Sequence, residues 1–314
     1  MKAFVMAAGF GTRLRPFTEQ LPKPLAPVRN VPALFYAFAL LKEAGVREIV
    51  CNVHHHAAAI RKAVESADLS GLQITFSEEE PILGTGGGLK KCESLLDGDD
   101  FFLVNSDIVT DIDFTALARQ HRSSGLPGKL ALYETPHAAE IGAVGVHNGL
   151  VKDFRNMRNT GLESQFIYTG TAMLGPAVFE HLEKGFSSIV DTGFTGLIDN
   201  GGLGAYLHTG FWMDIGTLES YHKANTACGI LPERLAGTVR DALGMEPCRL
   251  SPEATVDEGA RVIRSVIGSG CRIGKGAMVE DSLLLPGSVV NPDETLRCSI
   301  RDRHHTVELP QYNK

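Results

Sequence analysis

The chain has 314 residues, of which 43% are hydrophobic, and it carries a formal net charge of -7 at pH 7. This acidic balance, without a Lys/Arg-rich run of about five to eight residues, excludes a surface that tracks nucleic-acid phosphates, so we expect no nucleic-acid partner. No segment reaches the roughly 20 apolar residues of a membrane span. The N-terminus begins with a strand pattern rather than a signal peptide, and we expect a soluble, cytoplasmic protein without a membrane partner.

Strand and helix patterns alternate through the first part of the chain. The predicted strands are residues 2–8, 47–53, 72–77 and 101–105, and the predicted helices are residues 33–44, 56–67 and 89–96. Gly45 marks the end of the first helix. The order predicts a doubly wound, Rossmann-like α/β sheet that is mostly parallel.

After about residue 128 the pattern changes to shorter alternating segments. The predicted strands are residues 130–134, 144–147, 151–154 and 166–174, and helices are predicted near 177–183 and 218–227. We interpret these segments as a substrate-binding lobe on the same sheet, and residues 1–228 as one domain. Ligands of open α/β sheets bind beyond the carboxyl ends of the strands, so residues that follow strands are the first site candidates.

Residues 229–249 predict a connector to a second, smaller domain. Pro232, Gly237, Gly244 and Pro247 are expected to break any long helix there. The connector is therefore predicted to contain no long helix.

A period of six residues follows the connector. Ile267, Ile273, Val279 and Leu285 lie six residues apart, with glycines at the turns. Such a period is typical of a solenoid of β coils, which we place at residues 250–303 with a tail at 304–314. Because about three coils build little surface, we favour a packing or oligomerisation module over an independent acyltransferase site, and expect a homo-oligomer.

The first strand ends in a loop suited to phosphate. Gly9 and Gly11 let backbone N–H groups approach an anion, while Thr12 adds a hydroxyl and Arg13 a planar donor fork. A dinucleotide fingerprint requires a third glycine where this chain has Leu14, and no P-loop sequence occurs. A structural turn alone would not need the arginine, so we favour a phosphate cradle.

Lys23 stands between Pro22 and Pro24, which restrict its backbone. A surface lysine needs no such restriction, whereas a cation that neutralises a reacting phosphate must be held in place. We therefore predict that Lys23 neutralises the α-phosphate of a bound nucleotide.

Two aspartates are candidate ligands of Mg²⁺. Asp107 follows the strand predicted at 101–105, where a carboxylate can bridge a hard cation to phosphates. Asp214 precedes the last predicted helix; its alternative role is helix capping, for which Thr217 is the better candidate. Asp111 and Asp113 are predicted to be turn and N-cap residues.

Residues 7–16, Ala-Ala-Gly-Phe-Gly-Thr-Arg-Leu-Arg-Pro, and 22–25, Pro-Lys-Pro-Leu, closely resemble the signature of sugar-1-phosphate nucleotidylyltransferases. Asp107 and Asp214 match the two metal-binding aspartates of that family, the second within Trp-x-Asp-x-Gly-Thr. The resemblance covers about residues 1–228, and the repeats resemble the left-handed β-helix of many members. It implies an Mg²⁺-dependent enzyme that joins a nucleoside triphosphate and a sugar 1-phosphate into an NDP-sugar and releases pyrophosphate.

The resemblance also implies roles for individual residues. The backbone around Gly9 would meet the nucleobase, and residues 83–87 are similar to a second base-recognition loop. The implied residues are, for the nucleotide, Ala8, Gly9, Gly11, Thr12, Arg13, Lys23, Gly84 and Thr85; for the sugar, Asn105, Gly142, Arg155, Thr169 and Gly170; and for catalysis, Arg13, Lys23, Asp107 and Asp214.

The chain departs from the family pattern at two places. Ser106 stands where a glycine commonly precedes the metal aspartate. Many members also have a Glu-Lys-Pro segment whose lysine holds the sugar phosphate, but this chain continues after residue 154 with Arg-Asn-Met-Arg. Arg155 or Arg158 is predicted to substitute for that lysine.

The acidic run at residues 78–80 bears on the identity of the base. A carboxylate there, such as that of Glu79, can accept hydrogen bonds from guanine N1–H and N2–H₂, which predicts GTP. Mannose 1-phosphate is the first hypothesis for the sugar, although the sequence alone does not determine it. The alternative for this run is a solvated acidic loop. A pyrimidine nucleotide with a muramate, glucose or heptose phosphate stays open, as does a catalytically silent regulatory subunit that binds nucleotide sugars.

The histidines at residues 54–56 suggest a metal site, but consecutive residues of a strand point to opposite faces. We therefore favour a strand end followed by a helix start. The six cysteines are isolated and lack zinc-site spacing, which predicts reduced, structural thiols.

Overall fold

The structure is a computed structural model that describes residues 1–227 and 231–310. Cys228, the first two residues of the predicted connector and the last four of the predicted tail lie outside the described residues. Among the residues that are described, no helix is both long enough and apolar enough to cross a membrane.

The described residues form 23 strands and nine α-helices. The strands are β1 (Lys2–Met6), β2 (Pro27–Val28), β3 (Val31–Pro32), β4 (Glu48–Val53), β5 (Gln73–Glu78), β6 (Phe101–Asn105), β7 (Ile108–Thr110), β8 (Gly128–Glu134), β9 (Val144–His147), β10 (Leu150–Phe154), β11 (Phe166–Leu174), β12 (Leu203–His208), β13 (Trp212–Asp214), β14 (Thr255–Val256), β15 (Arg261–Ile263), β16 (Val266–Ile267), β17 (Arg272–Ile273), β18 (Met278–Glu280), β19 (Leu283–Leu284), β20 (Val289–Val290), β21 (Thr295–Arg297), β22 (Ser299–Arg301) and β23 (Thr306–Glu308). The α-helices are α1 (Ala33–Glu43), α2 (Ala57–Glu65), α3 (Gly84–Lys91), α4 (Glu93–Leu96), α5 (Phe114–Ser124), α6 (Ala138–Ile141), α7 (Thr195–Asn200), α8 (Leu218–Thr226) and α9 (Glu233–Leu243).

The chain divides into two compact units. The first unit contains Met1–Gly9 and Ala37–Trp212, and the second contains Phe10–Tyr36 and the described residues from Met213 onward. The chain therefore crosses between the units three times. The predicted phosphate loop is divided between them after Gly9.

The first unit is built on a nine-stranded sheet with the order β5-β4-β1-β6-β11-β8-β12-β10-β9. β5, β4, β1 and β6 are parallel to one another, β11 is antiparallel to β6 and to β8, and β12 is parallel to β8. β10 is antiparallel to both β12 and β9. All strands except β11 and β10 thus share one direction, which confirms the prediction of a mostly parallel sheet.

The register of the parallel strands sets up the edge where ligands of such sheets bind. Met6 at the end of β1 lies opposite Asn52 of β4 on one side and Asn105 of β6 on the other. Apolar residues such as Phe4 and Leu103 fill the core behind this row, and each buried side chain of that size contributes about 1.5–3 kcal/mol. Polar residues that end these strands are therefore held on a rigid support.

The predicted elements of the first unit are largely confirmed, although the helix predicted near 177–183 is a 3₁₀ helix, Pro176–His181. β6, β9 and β11 have the predicted bounds. The helix predicted at 89–96 begins instead at Gly84 and is divided into α3 and α4. Glycine disfavours a helix by about 1 kcal/mol per residue, but neighbouring segments approach α3 closely. A Cβ at position 88 would lie 2.5 Å from Oε1 of Glu79, so glycine is required there.

The second unit corrects the expectation that prolines and glycines break any long helix in the connector. α9 occupies Glu233–Leu243, and its buried residues Leu235, Val239 and Leu243 recur at helical spacing. Pro232 is the N-cap and Gly244 is the C-cap with φ 67°. Two of the residues expected to break a helix, Pro232 and Gly244, instead bound it, since proline before the start and glycine after the end are compatible with helix termini.

The six-residue period forms three coils of parallel β-helix, as predicted. Its three faces are the strand sets β14-β17-β20, β15-β18-β21 and β16-β19-β22. Ile267, Ile273 and Val279 of the predicted repeat lie in its apolar core, and Leu285 is also buried. Part of the predicted tail forms β23, which pairs with β22 in antiparallel fashion.

Candidate active site

Two cations and one carboxylate come together in the second unit. Nη2 of Arg13 is 4.0 Å from Oδ2 of Asp214, and Nζ of Lys23 is 3.8 Å from Oδ1 of the same carboxylate. The Arg13 side chain is 64% exposed and that of Lys23 is 10% exposed. Thr12 begins the short 3₁₀ helix that carries Arg13 and is exposed beside it. We call Arg13, Lys23 and Asp214 the cation cluster; it contains three of the four predicted catalytic residues.

The two cations are held by loops that pack on each other. Gly11 has φ 64°, and a Cβ at this position would lie 3.0 Å from Cβ of Lys23. The hydroxyl of Thr18 donates a hydrogen bond to the carbonyl of Gly11 at 2.9 Å. Lys23 begins the 3₁₀ turn Lys23–Leu25, and the N–H of Ala26 donates to its carbonyl at 3.0 Å. The restricted backbone predicted for Lys23 is therefore present.

Asp214 is not the cap of the helix that follows it. The hydroxyl of Thr217 accepts the N–H of Ser220 at 3.2 Å, and the hydroxyl of Ser220 accepts the N–H of Thr217 at 3.1 Å. This reciprocal arrangement is a capping box. The predicted preference for Thr217 as the cap is confirmed, and the carboxylate of Asp214 faces the cations instead.

In the first unit, a buried network joins the two loops predicted to meet the base. Oδ1 of Asn52 accepts the N–H of Ala7 at 2.8 Å, and Nδ2 of Asn52 donates to Oε1 of Glu79 at 2.7 Å. Oε2 of Glu79 accepts the N–H of Leu83 at 2.7 Å. We call this the Asn52–Glu79 network. It fixes the residue before Ala8 relative to the residue before Gly84.

The burial of Glu79 corrects one alternative for the acidic run. Glu79 is 2% exposed, so a solvated acidic loop is wrong for this residue. Glu78 and Glu80 are exposed, and Glu78 pairs with Arg61 at 2.8 Å. Each oxygen of the Glu79 carboxylate already accepts a hydrogen bond from the protein. A contact between Glu79 and a guanine base stays a prediction.

The opposite side of the Gly84–Thr85 segment is held by residues 185–189. The N–H of Gly86 donates to the carbonyl of Ser187 at 2.9 Å, and the N–H of Ser187 donates to the carbonyl of Leu83 at 3.0 Å. The hydroxyl of Thr85 accepts the N–H of Ile189 at 2.9 Å. Phe186 is 77% exposed on this segment. The predicted second base loop is therefore a helix start held from two sides.

Asp107 and Asn105 lie at the carboxyl end of β6. Between them, Ser106 is buried, and its hydroxyl donates to the carbonyl of Met6 at 2.7 Å. Ser106 is not among the described residues with positive φ. A glycine is therefore unnecessary before Asp107, and the serine instead ties this turn to β1.

The predicted sugar residues form two groups within the first unit. Gly170 has φ 81°, and a Cβ there would lie 2.8 Å from Cγ of Asn105, so these two residues are in contact. Thr169 is fully buried; its hydroxyl donates to the carbonyl of Ala131 at 2.8 Å, and its carbonyl accepts the indole N–H of Trp212 at 2.9 Å. The side chain of Thr169 thus has an internal structural role, and its contact with a sugar stays a prediction.

The second group distinguishes the two arginines that could replace the missing lysine. A Cβ at Gly142 would lie 3.7 Å from side-chain carbons of Arg155. Nη2 of Arg155 is 3.1 Å from Oδ1 of Asp191, and both side chains are about half exposed. Arg158 pairs instead with Asp199. Arg155 is therefore the arginine that lies beside a predicted sugar residue.

Several neighbouring polar residues have structural roles. Asp113 is the N-cap of α5 and accepts the N–H of Ala116 at 2.8 Å, as predicted. Asp111 makes a longer-range link, because Oδ1 accepts the N–H of Phe211 at 2.6 Å. The ring of His54 is hydrogen-bonded to the carbonyl of Glu79 at 2.6 Å. β4 ends and α2 begins around the three histidines, which confirms the predicted strand end and helix start.

Asn52 and Asp191 were missed by reasoning from the sequence. An asparagine inside the otherwise apolar strand pattern at residues 47–53 was a usable signal, because a buried amide must find partners. No pattern in the sequence marked Asp191, since its partner Arg155 is distant in the chain. Within residues 1–227 and 231–310, no group of three or more His, Cys, Asp or Glu side chains could hold a metal ion.

Comparison with known proteins finds two family models that match this chain. The family model described as "Nucleotidyl transferase" matches residues 2–229. A second model, "GlmU-like, C-terminal hexapeptide", matches residues 244–311. The first match covers most of the chain, and the second covers the β-helix.

Individual relatives agree with these models. A protein of Oryza sativa subsp. japonica assigned as mannose-1-phosphate guanylyltransferase 1 is 29% identical over 326 residues, covering 98% of this chain and 90% of that protein. An Aspergillus fumigatus protein named mannose-1-phosphate guanyltransferase is 35% identical over 225 residues, or 69% of this chain and 61% of that protein.

A solved structure has the same fold. It is from Bacillus anthracis, is assigned as a glucose-1-phosphate thymidylyltransferase and contains sucrose. It has a TM-score of 0.65 and 22% sequence identity, and it covers 72% of this chain and 94% of its own.

Proposed function

We propose that this chain, which belongs to the nucleotidyl transferase family, joins a nucleoside triphosphate and a sugar 1-phosphate into an NDP-sugar and releases pyrophosphate. The observation that carries the proposal is the cation cluster, in which Arg13 and Lys23 lie 4.0 and 3.8 Å from Asp214. Fixed cations beside a carboxylate suit a substrate whose charge lies on phosphates.

The reaction needs charge neutralisation more than acid–base chemistry. A phosphate oxygen of the sugar 1-phosphate attacks the α-phosphorus, and the bond from that phosphorus to the β-phosphate bridging oxygen breaks. The attacking oxygen is already ionised at neutral pH, so no protein base is required. Lys23 and Arg13 offset the negative charge that gathers on the α-phosphate, because preorganised cations act most strongly where charge develops.

Mg²⁺ is the proposed cofactor, with Asp107 and Asp214 as its protein ligands. Carboxylate oxygens are the donors that this hard ion prefers, and it usually takes only one or two carboxylates and completes its shell with waters and substrate phosphates. The side chain of Asp214 is 37% exposed, which leaves its carboxylate accessible to such an ion. When bound, the ion would supply further positive charge to the triphosphate.

GTP and mannose 1-phosphate are the proposed substrates. The support comes from relatives named mannose-1-phosphate guanylyltransferases, which match the chain over most of its length. Arg155 is the proposed cation for the sugar phosphate, since its side chain lies beside Gly142, another predicted sugar residue. Uridylyl and thymidylyl transfer to another sugar 1-phosphate is the competing reaction.

A substrate panel tests this proposal. GTP, UTP, dTTP, ATP and CTP are each combined with mannose, glucose and N-acetylmuramate 1-phosphates, and pyrophosphate release is measured with and without Mg²⁺. We expect release with GTP and mannose 1-phosphate, and only with Mg²⁺ present. A preference for UTP or dTTP would overturn the substrates but not the reaction.

A regulatory subunit is the alternative of another class. No pyrophosphate from any pair, together with measurable binding of a GDP-sugar by calorimetry, would favour it over an enzyme. Neither release nor binding would overturn both. We further propose that the protein acts in the cytoplasm, where nucleoside triphosphates are made, and as a homo-oligomer, which sedimentation would test.

A further inference from the structure

The hairpin that follows Lys23 is bonded to the start of the β-helix. Nδ2 of Asn30, at the tip of the β2–β3 hairpin, donates to the carbonyls of Cys248 at 3.1 Å and Ile267 at 3.0 Å. The N–H of Cys248 donates in return to the carbonyl of Arg29 at 2.8 Å. The hairpin tip is thus joined to the end of the connector, at Cys248, and to β16 of the β-helix, at Ile267.

Helix α8 is also hydrogen-bonded to this hairpin, mainly through Asn225. Oδ1 of Asn225 accepts the N–H of Arg29 at 2.8 Å, and its Nδ2 donates to the carbonyl of Pro27 at 3.2 Å. Nη2 of Arg29 donates to the carbonyl of Ala227, just past the helix, at 2.8 Å. Asn225 is fully buried, so its bonds to the hairpin do not compete with water.

α8 is in turn fastened to the β-helix. Nε2 of His222 is hydrogen-bonded to the carbonyl of Asp281 at 2.7 Å. Nη2 of Arg249 donates to the carbonyls of Thr226 and Ala227 at 3.2 and 3.1 Å. The hairpin, α8 and the β-helix are therefore linked pairwise within the second unit.

Only tight turns separate the hairpin from the cation cluster. The N–H of Ala26 donates to the carbonyl of Lys23 at 3.0 Å, and the N–H of Ala33 donates to the carbonyl of Ala26 at 3.1 Å. Val28 pairs with Val31 across the hairpin. Prolines at positions 24, 27 and 32 restrict the remaining freedom. A shift of the hairpin tip would therefore be passed on to Lys23.

We propose that Asn30 is a positioning residue, through which the β-helix holds Lys23 in the geometry that transfer requires. This inference rests on the proposed function and gives the β-helix a role in it. Asn30 has φ 68°, a conformation that asparagine tolerates in a hairpin turn without any partner. Its two bonds to Cys248 and Ile267 go beyond that turn requirement.

The test uses two variants and a matched control. Asn30→Gly keeps the positive φ and removes the side chain, and Asn30→Asp keeps the shape but cannot donate to two carbonyls. Asn148→Gly is the control, because Asn148 is an exposed turn asparagine with φ 50° in the first unit. We expect kcat to fall about 10-fold in both Asn30 variants, with each KM within about threefold of the wild type, and no change in the control.

A double substitution separates positioning from a general loss of structure. In a Lys23→Ala background, Asn30→Gly should lower kcat by less than about twofold, because the residue through which Asn30 acts is gone. An equal loss in both backgrounds would overturn the inference, as would a wild-type kcat in Asn30→Gly.

Amide hydrogen exchange gives a readout that does not depend on activity. We expect exchange of residues 22–32 to rise about 10-fold in Asn30→Gly and not in Asn148→Gly. If the wild type released no pyrophosphate, the proposed function would fail. The exchange measurement would still show whether Asn30 restrains residues 22–32. Unchanged exchange in an active enzyme would overturn the positioning role alone.

Discussion

The Asn52–Glu79 network of the first unit and the cation cluster of the second unit hold their polar residues in opposite ways. In the first unit, the Asn52–Glu79 network is buried and its three hydrogen bonds are 2.7 to 2.8 Å long. In the second unit, the contacts of the cation cluster are 3.8 and 4.0 Å long, and Asp214 is 37% exposed. The network is complete within the protein, whereas the cluster has long contacts that a phosphate could replace.

This difference distinguishes residues that stabilise the loops from residues that act on the substrate. Buried, hydrogen-bonded groups are expensive to disturb and therefore fix a backbone. The long-range ion pair between the exposed Arg13 and the partly exposed Asp214 contributes little to stability. A charged side chain of the Asn52–Glu79 network should therefore affect folding, and one of the cation cluster should affect turnover.

Removal of a cation from the cluster should have the largest effect. Lys23→Ala and Arg13→Ala should each lower kcat by about 100-fold, because each removes a preorganised charge at the reacting phosphate. Arg13→Ala should change the free energy of unfolding by less than about 1 kcal/mol, since its side chain is mostly exposed. Pyrophosphate release and urea unfolding measure the two quantities. Lys62→Ala, on the exposed surface of α2, is the control; near-normal turnover in both cluster variants would refute the assignment.

Glu79→Gln should show the reverse profile. The amide of glutamine must turn an NH₂ toward either Asn52 Nδ2 or the N–H of Leu83, which leaves a buried donor unsatisfied. We expect a loss of about 1–3 kcal/mol in the free energy of unfolding. The KM for the nucleotide should rise by a larger factor, relative to the wild type, than the KM for the sugar phosphate. Glu80→Gln, one exposed residue further on, should be neutral. Equal stability of the two variants would remove the distinction between the units.

Alanine substitutions at two helical glycines, one beside the Asn52–Glu79 network and one in open space, should change stability in opposite directions. Gly88→Ala in α3 would place a Cβ 2.5 Å from Oε1 of Glu79 and 2.9 Å from Nδ2 of Asn52, and should lower stability by about 1 kcal/mol or more. Gly237→Ala in α9 meets no atom within 4 Å, and should raise stability by about 0.5–1 kcal/mol. Thermal unfolding of both variants checks the signs, and a stabilising Gly88→Ala would contradict the network.

The smallest effect concerns pH and the junction of α8 with the β-helix. Burial lowers the pKa of His222 below its usual value of 6.5, so the unfolded state takes up a proton that the folded state resists. Stability that is present above about pH 6.5 should therefore be lost as the pH falls toward the folded pKa. His222→Gln keeps a donor for Asp281 and should flatten the decrease in unfolding free energy between pH 7 and 5. An unchanged slope would contradict the assignment.

A buried histidine of the first unit provides the comparison for that measurement. Burial also lowers the pKa of His121, which lies 3.3 Å from Asp100. Each histidine should contribute its own part of the pH dependence, and the double variant should remove both parts.

Much of the fold followed from local patterns. The bounds of β6, β9 and β11 were predictable because buried strands are short apolar or alternating runs. α3 and α9 were not. In α3, close packing overrides the poor helix propensity of glycine, and in α9 proline and glycine act as termini rather than as breakers.

The candidate site was likewise predictable from the sequence only in part. Arg13, Lys23 and Asp214 were chosen from residue type and spacing, but their meeting depends on residues 213–216 folding against residues 11–23. The support for the loops was not predictable, because Asn52 and Glu79 become partners only across neighbouring strands. Asn30 carried no signal at all, since a turn asparagine looks alike with or without partners.

The sequence by itself determined eight of the nine strands of the sheet, all but β12, together with the repeat of the β-helix and the residue types that can meet a phosphate. These features depend on periodicity and side-chain chemistry within short segments. Only the tertiary structure decided that residues 10–36, which contain Lys23, belong to the same compact unit as the β-helix and not to the unit of β1, the strand before them. Hydrogen bonds from Asn30 join this segment to Cys248 and Ile267. The reason is physical: hydrogen bonds between distant segments depend on where the chain returns, and no local pattern encodes that return.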